Sequence, residues 1–121
     1  MGLILADTNV IIYMLEGDQS IAQLFDDNEI AISFITELEL LTGKAYSFAQ
    51  SKLIKTTIDK CFVYNYDNTI KSSCIRLREK YLLKLPDSII AATALAYNLP
   101  LFTSDKHFAK LKEIEVSLYT F

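Results

Sequence analysis

Short apolar runs of strand length alternate with helix-spaced stretches along the whole chain. Leu3-Ile4-Leu5-Ala6 is apolar without interruption and ends at Asp7-Thr8-Asn9. That pattern predicts a strand buried on both faces of a parallel sheet. Residues 30–32, 61–66, 101–103 and 115–119 predict four more strands, and the last alternates polar and apolar as an edge strand does. Helices are predicted between them, over 10–15 with a stop near Gly17, and over 19–26 with Asp18 as cap. Ser33 and Thr36 offer caps for a third helix that Gly43 stops, and a fourth covers 44–55. Asp67 caps a long helix over 69–85, in which Ile70, Cys74, Leu77, Tyr81 and Leu85 keep helical spacing. Pro86-Asp87 opens a helix that runs to about Asn98 and is apolar nearly all round, the mark of a buried helix. A short helix is predicted over 108–111. Strands alternating with helices give an α/β fold: a central parallel sheet of about five strands with helices on both faces.

Composition adds bounds. At 121 residues the chain is expected to be one domain over 1–121. Half its residues are apolar, yet no run reaches the ~20 needed to span a bilayer, and the N-terminus lacks signal-peptide features. Cys61 and Cys74 do not form a C-x-x-C motif and read as buried free thiols, so a cytoplasmic protein is expected. Residues 1–43 hold eight acids and no Lys or Arg, and the remainder holds all twelve bases. The basic stretch with Lys71, Arg76, Arg78, Lys80 and Lys84 is either a solvated face or a flank for a polyanion.

Candidate chemistry lies in the acids at element ends. Asp7 and Asp105 each follow a strand, and Asp87 opens the buried helix. In open parallel sheets, ligands bind beyond the carboxyl ends of the strands. Each acid alone reads equally as a helix cap. Glu37 and Glu39 follow the second strand, about 200° apart around a helix, so only one can face the site. Periodicity does not choose between them. Three or four converging carboxylates cannot all ionise without a cation, and oxygen-only donors suit Mg²⁺ or Mn²⁺. Such a site suits phosphodiester hydrolysis. His107, the single histidine, reads as a surface residue.

Four motifs in register resemble the PIN-domain ribonucleases, in particular the VapC-like toxins of bacterial toxin–antitoxin pairs. They are Asp7-Thr8-Asn9-Val10; Ser33, Thr36, Glu39-Leu40 and Gly43; Asp87 with Ile89-Ile90-Ala91-Ala92-Thr93-Ala94; and Thr103-Ser104-Asp105 with Phe108. The resemblance implies a Mg²⁺- or Mn²⁺-dependent endoribonuclease with Asp7, Glu39, Asp87 and Asp105 as catalytic metal ligands. Glu39 is chosen over Glu37 by the family register. Thr103 is implied as a supporting hydroxyl and Asn9 as a residue orienting the carboxylates. Family members often carry Asn where this chain has Asp105, which leaves the metal count open. An RNA substrate, an antitoxin protein partner and a homodimer are implied as well, with no membrane association.

Two other readings remain. One is a non-catalytic RNA- or protein-binding module of the same fold. The other is a phosphotransfer or receiver-type domain. Phosphatases of the haloacid-dehalogenase type need Asp where Asn9 stands, and the third strand is followed by Asp67 one residue late for a phosphoacceptor.

Overall fold

Parallel pairing joins five strands into one sheet, ordered β3-β2-β1-β4-β5. The computed structural model describes residues 2–42 and 46–120. The strands are β1 (Leu3–Ala6), β2 (Glu29–Ser33), β3 (Phe62–Tyr64), β4 (Leu101–Thr103) and β5 (Val116–Leu118). The helices are α1 (Thr8–Leu15), α2 (Gln19–Asp27), α3 (Phe34–Thr42), α4 (Phe48–Asp59), α5 (Asn68–Lys80) and α6 (Leu85–Tyr97), with a 3₁₀ turn at Lys106–Lys110. The expected α/β class and five-stranded parallel sheet are those observed.

Side chains alternate across the sheet and divide the core in two. Leu5, Ala31 and Leu101 point to the face covered by α5 and α6, where they meet Leu77, Ile90 and Ala91. Ala6, Ile30 and Ile32 point to the opposite face and meet Val10, Ile21, Leu40 and Ile54 from the first four helices. Helix α6 buries Ile90, Ala91, Ala92, Thr93 and Ala94, as its apolar sequence requires. It ends at Asn98, in the left-handed conformation (φ 53°) that a short polar side chain tolerates.

Several boundaries differ from expectation. Helix α3 starts directly after β2. Ser33 Oγ accepts from the Ile35 amide, but Thr36 lies inside the helix, fully buried, and caps nothing. The expected stop at Gly43 and the start of the next helix at Lys44 lie outside the described residues. Helix α4 runs further than expected, to Asp59, and Ser47 and Gln50 close a capping box at its start. Helix α5 stops at Lys80, not at 85. Tyr81 turns extended and donates its hydroxyl to Glu113 Oε1 at 2.8 Å. Arg78 donates to the Leu83 carbonyl and to Ser88 Oγ, holding the turn into α6. Arg78 is therefore a structural cation. The turn after β4 is 3₁₀ and begins at Lys106, capped by Asp105.

Both cysteines are free and half-buried. Burial pushes the Cys61 thiol up to about 11, so it stays protonated and unreactive at neutral pH. Among the described residues, no helix is long and apolar enough to cross a membrane.

Candidate active site

The strand order reverses between β1 and β4, which opens a crevice at their carboxyl ends. Asp7 leaves β1 there, and Asp105 follows β4 by two residues. Asp87 sits in the first turn of α6, and Glu39 lies on α3. Together with Thr8, Asn9, Ile12, Tyr46 and Ile90 they line one cleft of about 210 Å³. Glu37 is not among the residues lining it. A larger hollow of about 570 Å³ lies by the amino ends of the strands, lined by Leu3, Glu29 and Phe62 among others. Its lining holds two acids, Asp26 and Glu29, beside Lys60, and it lies at the end of the sheet where such folds do not place ligands.

Asp7 is 5% exposed and tied from two sides. Its Oδ1 accepts from the Thr8 amide at 2.8 Å, and its Oδ2 accepts from Thr103 Oγ1 at 2.7 Å. Thr103 Oγ1 in turn accepts from the Asp105 amide at 3.0 Å, so one hydroxyl joins the ends of β1 and β4. Asp105 Oδ1 accepts from the His107 amide and lies 2.8 Å from His107 Nδ1. His107 is exposed, and its ring leans on the carboxylate. Glu39 Oε1 accepts from Thr8 Oγ1 at 2.7 Å, and Thr8 Oγ1 lies 2.9 Å from Thr36 Oγ1. Asn9 is exposed at the rim, and no hydrogen bond links it to any of the four acids. Thr8 is the residue hydrogen-bonded to both Asp7 and Glu39. Asp7 and Asp105 are also helix caps, so capping and a place in the cleft are not alternatives.

Charge accumulates here. Burial raises the Asp7 carboxyl above its ordinary range; the two hydrogen bonds oppose this, and Asp87 and Asp105 add to it. Asp87 is raised by burial and then by Asp105 and Glu39, with Lys84 and His107 opposing. Among the described lining residues none is Lys or Arg. The described lining thus offers oxygen donors and no Lys or Arg, which fits a hard divalent cation. Among the described residues, no three His, Cys, Asp or Glu side chains are grouped so as to hold an ion as they stand. The fit therefore rests on the donor chemistry and on the mutual repulsion of the acids.

The raised carboxyls set a pH dependence. Asp7 and Asp87 release their protons at higher pH in the folded protein than in the unfolded chain. Their contribution to stability is therefore best near pH 4 and falls as pH rises through the folded pKa values. In EDTA, the melting temperature of Asp87→Asn is expected to decline less than that of wild type as pH rises from about 4 to neutral. Parallel thermal melts check this, and equal slopes would contradict it.

The family model described as PIN domain matches residues 4–114. Among curated proteins, none matches significantly. Among solved structures, a toxin–antitoxin complex from Klebsiella pneumoniae contains a chain 31% identical to this one, with a TM-score of 0.84. The match covers 98% of this chain and 99% of that one. VapBC-5 from Mycobacterium tuberculosis, of the VapBC family of toxin–antitoxin systems, is similar at 25% identity and TM-score 0.74, over 97% and 98% of the two chains. VapBC2 from Rickettsia felis, bound to a DNA fragment from its promoter, shares the fold at 20% identity, TM-score 0.85, over 99% and 100%.

Proposed function

The chain belongs to the PIN-domain family and is VapC-like in fold, and on that premise we propose that it is a divalent-cation-dependent endoribonuclease, the toxin of a toxin–antitoxin pair. The observation that carries the reading is the cleft at the ends of β1 and β4, which Asp7, Glu39, Asp87 and Asp105 all line, without a basic side chain among the described lining residues. Asp7, Glu39, Asp87 and Asp105 would hold Mg²⁺ or Mn²⁺. When bound, such a cation lowers the pKa of water and offsets charge growing on a phosphate.

The protein's own part is to aim the carboxylates. Thr103 and the Thr8 amide fix both oxygens of Asp7, each of which keeps a lone pair for a cation. Asp105 is held by the turn that it caps. Asn9 and Tyr46 stand at the cleft, where an RNA strand would pass.

The partners are inferred from the neighbouring surfaces. A second hollow, lined by Leu15, Leu40, Leu53 and Ile54, shares Ile12 and Tyr46 with the cleft, so an antitoxin segment seated there would cover the acids. An apolar groove of Phe34, Tyr66, Ile70 and Leu85, bordered by Lys71 and Arg78, suits a second copy of the chain in a homodimer. The free, protonated Cys61 is consistent with work in the reducing cytoplasm.

A non-catalytic module of the same fold is favoured by one observation, that the acids are not already grouped around a point. The test is incubation of purified protein with a structured RNA mixture in Mg²⁺ or Mn²⁺ against EDTA. Cleavage that needs the metal is expected. No cleavage, together with no Mn²⁺ uptake by calorimetry, would leave the binding module as the function.

A further inference from the structure

We propose that Thr8 is a positioning residue, which sets Glu39 relative to Asp7 through a polarised pair of hydroxyls backed by Thr36. This rests on the reading of the cleft as a cation site.

Thr8 touches two of the acids, and they come from different elements. Its amide donates to Asp7 Oδ1 at the end of β1, and its hydroxyl donates to Glu39 Oε1 on α3. A hydroxyl has a single proton. Glu39, as a carboxylate, can only accept, so the Thr8 proton is committed to it. The 2.9 Å contact between Thr8 and Thr36 must then run from Thr36 to Thr8. A donor placed behind Thr8 strengthens the bond that Thr8 makes, since hydrogen bonds in series polarise one another.

Burial differs along this series in a way that gives it purpose. Thr36 is fully buried and Thr8 nearly so, whereas Glu39 is exposed. An exposed Glu on a helix samples many rotamers, and holding one of them has an entropic cost. The buried hydroxyls anchor one oxygen of that mobile side chain and leave the other free for a cation. Because the same residue binds Asp7 through its backbone, the distance between the two carboxylates is set within one residue. Groups that orient ligands in this way typically change metal affinity by about 10–100-fold when lost.

The test uses Mn²⁺ alone as probe, titrated calorimetrically into the full chain, with wild type, Thr8→Val, Thr8→Ser, Thr36→Val and Asp7→Asn compared. Thr8→Val keeps the shape and removes the hydroxyl; Thr8→Ser keeps the hydroxyl. The expected result is Mn²⁺ affinity about tenfold weaker in Thr8→Val, restored to within about twofold in Thr8→Ser, and reduced by a smaller factor in Thr36→Val. Melting temperatures close to wild type would show that the loss is not one of folding. On an RNA that wild type cuts, at saturating Mn²⁺, kcat should fall while KM stays. Wild-type affinity in folded Thr8→Val would overturn the proposal and leave the cation site standing. If Thr8→Val does not fold, wild-type affinity in Thr36→Val overturns it. No Mn²⁺ uptake by wild type would remove the cation site, and the positioning role with it.

Discussion

Asp7→Asn should lose RNA cleavage by at least about 100-fold, more than the loss of a merely supporting partner costs, and should melt higher than wild type in EDTA. Asn is as good an N-cap as Asp, so α1 keeps its start. Its amide oxygen can accept from the Thr8 amide as Asp7 Oδ1 does. Its NH₂ group then faces Thr103 Oγ1, which must turn from donor to acceptor there. That adjustment is small beside the relief of a buried negative charge whose proton affinity burial and two nearby acids have raised. A gain of about 1 kcal/mol, or roughly 3–5 °C, is the expected scale for removing strain from a functional site. Above the folded pKa the gain is at its largest, and it shrinks as pH falls through that value and wild-type Asp7 takes up its proton. Cleavage assays and melts of both proteins in EDTA and Mn²⁺ check both halves. Undiminished cleavage would remove Asp7 from the site. A lower melting temperature would make it a structural cap.

Leu101→Ala should be among the most damaging simple truncations for stability. Leu101 is fully buried in β4, paired with Leu5 of β1 and Val116 of β5. It belongs to the core under α5 and α6, with Ile90 and Ala91. Its neighbours are held by a sheet on both sides, so the space left behind cannot close easily. Leu→Ala changes in such places cost about 2–5 kcal/mol, out of a total stability of about 5–15 kcal/mol for a domain. For a chain of this size that is a fall of roughly 6–25 °C in melting temperature. Because β4 carries Thr103 and leads to Asp105, activity should fall as the folded fraction falls. Leu82→Ala is the control: Leu82 is 94% exposed, and its loss should change stability by less than about 0.5 kcal/mol. Urea unfolding of the three proteins checks the contrast. A loss under about 1 kcal/mol in Leu101→Ala would show that the core relaxes around the gap.

How far the sequence reaches can be seen element by element. Leu3–Ala6 and Leu101–Thr103 are legible to the residue, since unbroken apolar runs with polar stops leave little choice of boundary. Asp18 and Asp67 are legible as caps, and each accepts from an amide three residues on. The capping box of Ser47 and Gln50 is also a local pattern, and it marks the start of the fourth helix better than apolar spacing does. The end of α5 is not legible at all. Leu77, Tyr81 and Leu85 keep helical spacing, but Tyr81 leaves the helix for Glu113, 32 residues on, and no local pattern announces such a bond.

The sequence by itself determined the kind of site: acids at strand ends and at a helix start, in a fold whose strands run parallel. Apolar periodicity and caps are local, and they put Asp7, Asp87 and Asp105 near element ends without knowledge of any partner. Only the tertiary structure decided what joins them. Parallel strands separated by long crossovers bring Thr103 to Asp7, 96 residues apart, and Thr8 to Glu39, 31 residues apart. It also put Glu39 on the cleft, left Glu37 off its lining, and tied Thr8 to Glu39. These hydroxyl–carboxylate bonds depend on side-chain directions across packed elements, and a one-dimensional pattern carries no record of them.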